Sequence, residues 1–242
     1  MKIYHLIAVV FFCLPFTSCL KEDNNYDFIY CAVGTLLRTT DGAVYFRTDT
    51  TTANPEELTL YISNKDALEK VESGYRFFMN FNIIGEIDKT TRSGDVTFLG
   101  GLGMYNRDVD IVELDNKPDS TGTDPITIDD GWISHDYLSL GFSFRAAGQA
   151  NHYFYLTMDK NYQKEDTVVL KFNHDANSDM AYMEYKEYYI TSPISAFKNQ
   201  AKDYIYIEVI PNVESDNIKK SHTFLYKYKS SIETGEDEGM SD

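Results

Sequence analysis

Apolar residues recur at every second position along most of this chain. Examples are Leu58, Leu60 and Ile62; Tyr75, Phe77, Met79, Phe81 and Ile83; and Leu138, Leu140, Phe142 and Phe144. Further runs are His152, Phe154, Leu156 and Met158; Val168, Leu170 and Phe172; Ile205, Ile207 and Val209; and Phe224, Tyr226 and Tyr228. Successive side chains of a strand point to opposite faces, so this period buries one face of a sheet and leaves the other to water. One buried face per strand belongs to antiparallel sheets rather than to the doubly covered sheets of α/β folds. The pattern predicts an all-β protein. Helical spacing is nearly absent. Residues 64–72 (NKDALEKVE), with Asn64 as N-cap, predict two helical turns. Ser192 as N-cap and Pro193 at the first helical position predict a short helix through Asn199.

The strands fall into two groups. Runs at 28–37 and 43–48 flank Thr40-Asp41-Gly42, a hairpin signal. Val96 and Phe98 start a strand that Val109 and Ile111 continue beyond Gly100-Gly101. Residues 115–125 (DNKPDSTGTDP) hold no apolar residue and read as a linker. The first domain is thus expected at 28–114 and a β-sandwich at 126–229, with Met183, Tyr185 and Tyr189 facing inward on one of its strands. The tail at 230–242 is acidic, lacks aromatics and reads as disordered.

The N-terminus reads as an export leader. Met1-Lys2 precedes a mostly apolar run over 3–16. A membrane-spanning helix needs about 20 apolar residues, so the run is too short to span and fits a signal peptide. Phe16-Thr17-Ser18-Cys19 resembles the lipobox of bacterial lipoproteins, in which the cysteine is lipidated and the leader cut before it. That resemblance implies a signal peptide at 1–18, a covalent lipid (palmitate) on Cys19 and a tether at 19–27. Cys13 leaves with the leader, and Cys31 lies in a strand run as a small buried hydrophobe. One remaining thiol allows no internal disulfide. Lys21-Glu22-Asp23 resembles the acidic export signals of surface lipoproteins. It implies an outer-membrane protein displayed outward, the alternative being a body facing the periplasm.

The composition excludes one partner class and the motifs exclude others. Lys and Arg number 22 against 38 Asp and Glu, a net charge of −16. Nucleic acid, a polyanion, is therefore not an expected partner. His135, His152, His174 and His222 fall in no metal-protease spacing and are read as structural. No G-x-S-x-G elbow occurs, and "GGLG" at 100–103 lacks a following helix and Lys. Asp175, Asn177 and Asp179 open like a calcium loop, but Met180 and Lys186 stand where Gly and Glu are needed. A polar turn is the better reading. No catalytic residue, metal or cofactor is expected apart from the lipid. The 19 tyrosines are more suggestive. Tyr153, Tyr155, Tyr188, Tyr204 and Tyr206 fall on the polar phase of their strands, where aromatics stack on sugars or anchor proteins. Tyr153, Tyr155, Tyr204 and Tyr206 are the candidate ligand-binding aromatics.

The lipobox, the β half, the linker and "DPITIDDGWISHDYLSLGFSF", "VVLKFNHDANSD" and "FLYKYK" together resemble the NigD-like lipoproteins of Bacteroidetes. The resemblance implies an N-terminal OB-like small barrel followed by a C-terminal antiparallel β-sandwich. It implies a lipid-anchored, non-enzymatic binding or accessory module of the cell envelope. A glycan or an envelope protein would be its ligand. The family name, drawn from a bacteriocin operon, implies a bacteriocin or toxin immunity role as the alternative.

Overall fold

The computed structural model describes residues 28–51, 55–113, 121–148, 150–179, 184–211 and 220–228. The leader, Cys19, the tether, most of the expected linker and the acidic tail lie outside the described residues. The chain divides into two compact units at Leu102/Gly103.

The first unit is a closed barrel. Its strands are β1 (Tyr30–Arg38), β2 (Val44–Thr48), β3 (Thr59–Ile62), β4 (Arg76–Asp88) and β5 (Ser93–Gly103). They close in the order β1-β2-β3-β5-β4, with β3 and β5 parallel and β1 antiparallel to both β2 and β4. This is the OB-like barrel expected from the resemblance. Leu36, Phe46, Leu60, Met79 and Val96 fill its core, and Phe46 packs on Phe77 with ring centroids 5.1 Å apart. Gly34 lies in β1 where strands crowd: a Cβ there would stand 2.1 Å from the Arg47 carbonyl oxygen. Only glycine permits that approach.

The second unit is a two-sheet sandwich. It comprises β6 (Tyr105–Asn106), β7 (Asp110–Val112), β8 (Thr127–Ser134), β9 (Tyr137–Ala146), β10 (Tyr153–Asp159), β11 (Thr167–Asp175), β12 (Glu184–Pro193), β13 (Tyr204–Pro211) and β14 (His222–Lys227). One sheet runs β14-β13-β11-β10-β7 and the other β6-β12-β9-β8. Between them pack Leu138, Leu140, Phe142, Phe144, Phe154, Leu156, Leu170, Phe172, Ile205, Ile207 and Tyr226. These are the inward phases that the alternation predicts. The long pairings are antiparallel except β11 with β13, and the short strands β6 and β7 also pair in parallel.

Several local expectations change. Val109 and Ile111 do not extend the barrel: residues 105–112 supply β6 to one sandwich sheet and β7 to the other, lacing its edge. The stretch 64–72 makes only a 3₁₀ turn, Lys65–Leu68. Asn64 does not cap it: its side-chain amide exchanges two 2.8 Å hydrogen bonds with the Phe98 backbone, as a strand would. Ser192 and Pro193 end β12, and a 3₁₀ turn spans only Ser195–Phe197. Cys31 is exposed rather than buried. In β12 the expected face is reversed at Tyr185 and Tyr189, while Met183 lies outside the described residues. Tyr188 pairs with Phe142 and Ile190 with Leu140, so these face inward, while Tyr185 and Tyr189 pair with Arg145 and Gly141 on the outer face. Aromatics occupy both phases of β12, so its alternation holds no signal.

Candidate functional site

At one end of the sandwich three segments bring polar groups onto the core. His152 immediately precedes β10, His174 is the penultimate residue of β11, and Asp179 follows in the turn after it. His152 Nδ1 lies 2.7 Å from His174 Nε2, and His152 Nε2 lies 3.1 Å from Asp179 Oδ2. His174 Nδ1 donates to the Pro125 carbonyl oxygen at 3.0 Å. Asp179 Oδ2 also accepts the backbone N–H groups of Ala147 and Gly148 at 3.0 and 2.8 Å. The rings pack against apolar ones: His174 stacks on Phe154 and meets Phe144 edge-on, both at 5.0 Å, and His152 lies tilted 4.9 Å from Phe144. His174 and Asp179 are fully buried. Burial, and then neighbouring His152, push the His174 imidazole below its ordinary value against the pull of its bond to Pro125.

The arrangement is a linear chain. His152 spends both ring nitrogens within it, so the three side chains do not converge on one point as metal ligands would. Among the described residues no group of three His, Cys, Asp or Glu could hold a metal ion. Asp175 and Asn177 form the expected polar turn, with the Asn177 N–H on Asp175 Oδ1 at 2.8 Å. Part of the expected linker is docked here: Asp124 donates its N–H to the His174 carbonyl and accepts the Ala176 N–H. The chain was not legible as a unit because Pro125, His152, His174 and Asp179 are distant in sequence. One signal was present. His152 and His174 both continue the inward phase of adjacent strands, where a histidine must find a partner.

The four candidate tyrosines share the outer face of the five-stranded sheet but do not converge. Tyr155 pairs with Asn173 and Tyr206 with Thr167 along β11. Six residues of strand at about 3.3 Å each hold the two pairs roughly 20 Å apart. Tyr204 and Tyr206 stand 47% and 39% exposed with ring centroids 5.8 Å apart. Tyr153 is 44% exposed, whereas the Arg107 guanidinium sits 4.1 Å over the Tyr155 ring and occupies that face. Tyr188, expected outward, lies 5.5 Å from Phe144 in a stacked pair at the sandwich margin, next to Tyr105. Among the described residues no helix is long and apolar enough to cross a membrane.

Fold and site together define a class: an OB-like barrel linked to a two-sheet sandwich with a buried imidazole–carboxylate chain. Residues 110–226 match the family model of the NigD-like C-terminal beta sandwich domain, so the second unit carries a NigD-like sandwich domain. No curated relative matches the sequence. Solved structures of similar fold include a provisionally named toxin-related protein from Parabacteroides distasonis, 19% identical with a TM-score of 0.66, covering 83% of this chain and 94% of that one. A protein of unknown function from Bacteroides vulgatus is 17% identical, with a TM-score of 0.63 and coverage of 85% and 93%. A NigD-like immunity protein from Bacteroides caccae is 17% identical, with a TM-score of 0.60 and coverage of 85% and 100%. At these identities the likeness is one of fold.

Proposed function

We propose that this protein is a lipid-anchored lipoprotein of the cell envelope, fastened through Cys19 to the outer membrane and displayed outward. It acts as a non-enzymatic binding or accessory module for a glycan or protein ligand. The observation that carries the binding role is the Tyr204–Tyr206 pair, two exposed rings 5.8 Å apart on the outer sheet face. Rings so placed offer a stacking surface whose core contacts are already made by Ile205 and Ile207 on the other phase. The non-enzymatic reading rests on His152 and His174: their nitrogens are committed to one another, to Asp179 and to Pro125 rather than to a substrate. The immunity alternative draws on the names of fold neighbours and on no residue of this chain.

Retention of the full chain on arrays of envelope glycans and pull-downs of envelope proteins test the binding role. Saturable binding lost in Tyr204→Ala supports it; binding to neither class ends it. Labelling with palmitate should fail in Cys19→Ala, and protease treatment of intact cells should remove the wild type. A wild type that survives protease faces the periplasm.

A further inference from the structure

The hydrogen-bond chain through His152 and His174 begins and ends on acceptors. The Pro125 carbonyl oxygen can only accept, so His174 Nδ1 carries a proton. Asp179 Oδ2 already accepts from two backbone N–H groups, which favour the carboxylate form, so His152 Nε2 carries a proton too. A third proton must lie between His152 Nδ1 and His174 Nε2, which are 2.7 Å apart. Two neutral imidazoles hold only two ring protons between them. We propose that the pair holds a third, as a shared imidazolium–imidazole cation balanced by Asp179, and that this buried triplet is a pH-sensitive latch. It fastens segments 121–125, 147–148 and 175–179 to the end of the sandwich.

The groups around the pair act on this charge in both directions. Asp124, from the segment before β8, and Asp175, at the end of β11, both favour the cation. On β12, Lys186 pairs with Phe144 and so shares its face, a like charge that opposes the cation. Tyr188 of the same strand and Tyr105 of β6 close the aromatic side, against Phe144 and Phe154. On β9 and β10 the neighbours are the apolar rings of Phe144 and Phe154. Burial of His174 acts against the third proton and still more against a fourth, so the cation depends on the three carboxylates of Asp179, Asp124 and Asp175.

The sign follows from counting. Unfolded, the two histidines carry four ring protons well below pH ~6.5 and two well above it. The native pair carries three. On the acid side the unfolded chain binds more protons, so stability rises with pH; on the alkaline side the native pair binds more, so stability falls. Stability of the sandwich therefore peaks near pH ~6.5, and the unfolding constant grows on either side by up to about tenfold per pH unit.

Two measurements on the full chain test this. Ring-nitrogen NMR of histidine-labelled protein near pH ~6.5 should show three protonated nitrogens among the four of His152 and His174, assigned by His152→Gln and His174→Asn. Two protonated nitrogens would overturn the proposal. Urea unfolding across pH ~5 to ~8, followed by the fluorescence of Trp132, should give the bell. Asp179→Asn, which keeps the size of the side chain, should shorten the alkaline limb, which starts at the unfolded value and ends where the native pair loses its third proton. An unchanged limb in Asp179→Asn, or a flat wild-type profile, also overturns it.

Discussion

In the barrel, the guanidinium of Arg76 is wholly buried against the carboxylate of Asp49; at the end of the sandwich, the buried carboxylate of Asp179 meets an imidazole instead. The barrel pair is bidentate. Arg76 Nη1 lies 3.0 Å from Asp49 Oδ1, Nη2 binds Oδ2, and Nη1 also reaches Thr35 Oγ1 at 2.9 Å. Arginine does not deprotonate in a protein, so this charge is fixed across the working pH range. The imidazole chain has the same need for a partner but can lose a proton. Two β units of one chain thus bury charge in two ways, one on a guanidinium and one on paired imidazoles. Trp132, the only tryptophan, lies in β8 of the sandwich and separates the two units spectroscopically.

The largest effect expected from this contrast is in the barrel. Arg76→Leu strands the Asp49 carboxylate and should destabilise the barrel by about 3–5 kcal/mol. The loss should appear in the far-UV circular dichroism transition and leave the Trp132 transition in place. Replacing both partners, as Arg76→Met with Asp49→Leu, should restore most of it, because a buried pair contributes little beyond a well-packed apolar substitute. A single variant that loses under about 1 kcal/mol would mean that water reaches the pair.

A second carboxylate in the sandwich sharpens the comparison. Tyr226, fully buried, donates its hydroxyl to Asp136 Oδ1 at 2.6 Å. Burial and then Asp136 push that hydroxyl well above the usual tyrosine range, so it stays protonated at any physiological pH. Tyr226→Phe should cost about 1.5–3 kcal/mol, the worth of a hydrogen bond to a charged group. The cost should be the same at pH ~6 and ~8, and the bell of the Trp132 transition should survive. Gly122→Ala should act oppositely. Gly122 has φ +99°, and a Cβ there would stand 2.4 Å from the His174 carbonyl oxygen. The substitution should cost more than about 1 kcal/mol and, by lifting Asp124 and Pro125 off His174, flatten the bell.

How much of this was legible follows the strength of local pattern. β9 places Leu138, Leu140, Phe142 and Phe144 inward as its alternation dictates, and the turn at Asp41-Gly42 joins β1 to β2. β12 was misread because Tyr185, Tyr188 and Tyr189 are aromatic on both phases, and only the register to β9 decides between them. The residue type of Cys31 predicts burial, but it lies exposed near the start of β1. β6 and β7 are two and three residues long, too short to show a period, and β5 runs through the turn-like Gly100-Gly101 to Gly103. The histidine chain depends on long-range pairing, β10 beside β11, which sets His174 next to Phe154.

The smallest expected effect concerns that short lacing segment. The Arg107 backbone N–H donates to the Thr191 carbonyl of β12 at 3.0 Å, while its guanidinium lies over Tyr155 of β10. One residue thereby touches both sheets. Its ion pair with Asp110, 3.3 Å away and about two-fifths exposed on each side, is largely screened. Arg107→Gln keeps the backbone bond and removes the charge over the ring, so it should cost only about 0.5–1 kcal/mol. The loss should fall on the Trp132 transition and leave the shape of its pH profile unchanged. It should also free the Tyr155 ring. If binding to the outer face uses Tyr153 and Tyr155, Arg107→Gln should strengthen it; if binding uses Tyr204 and Tyr206, roughly 20 Å away along β11, affinity should not change.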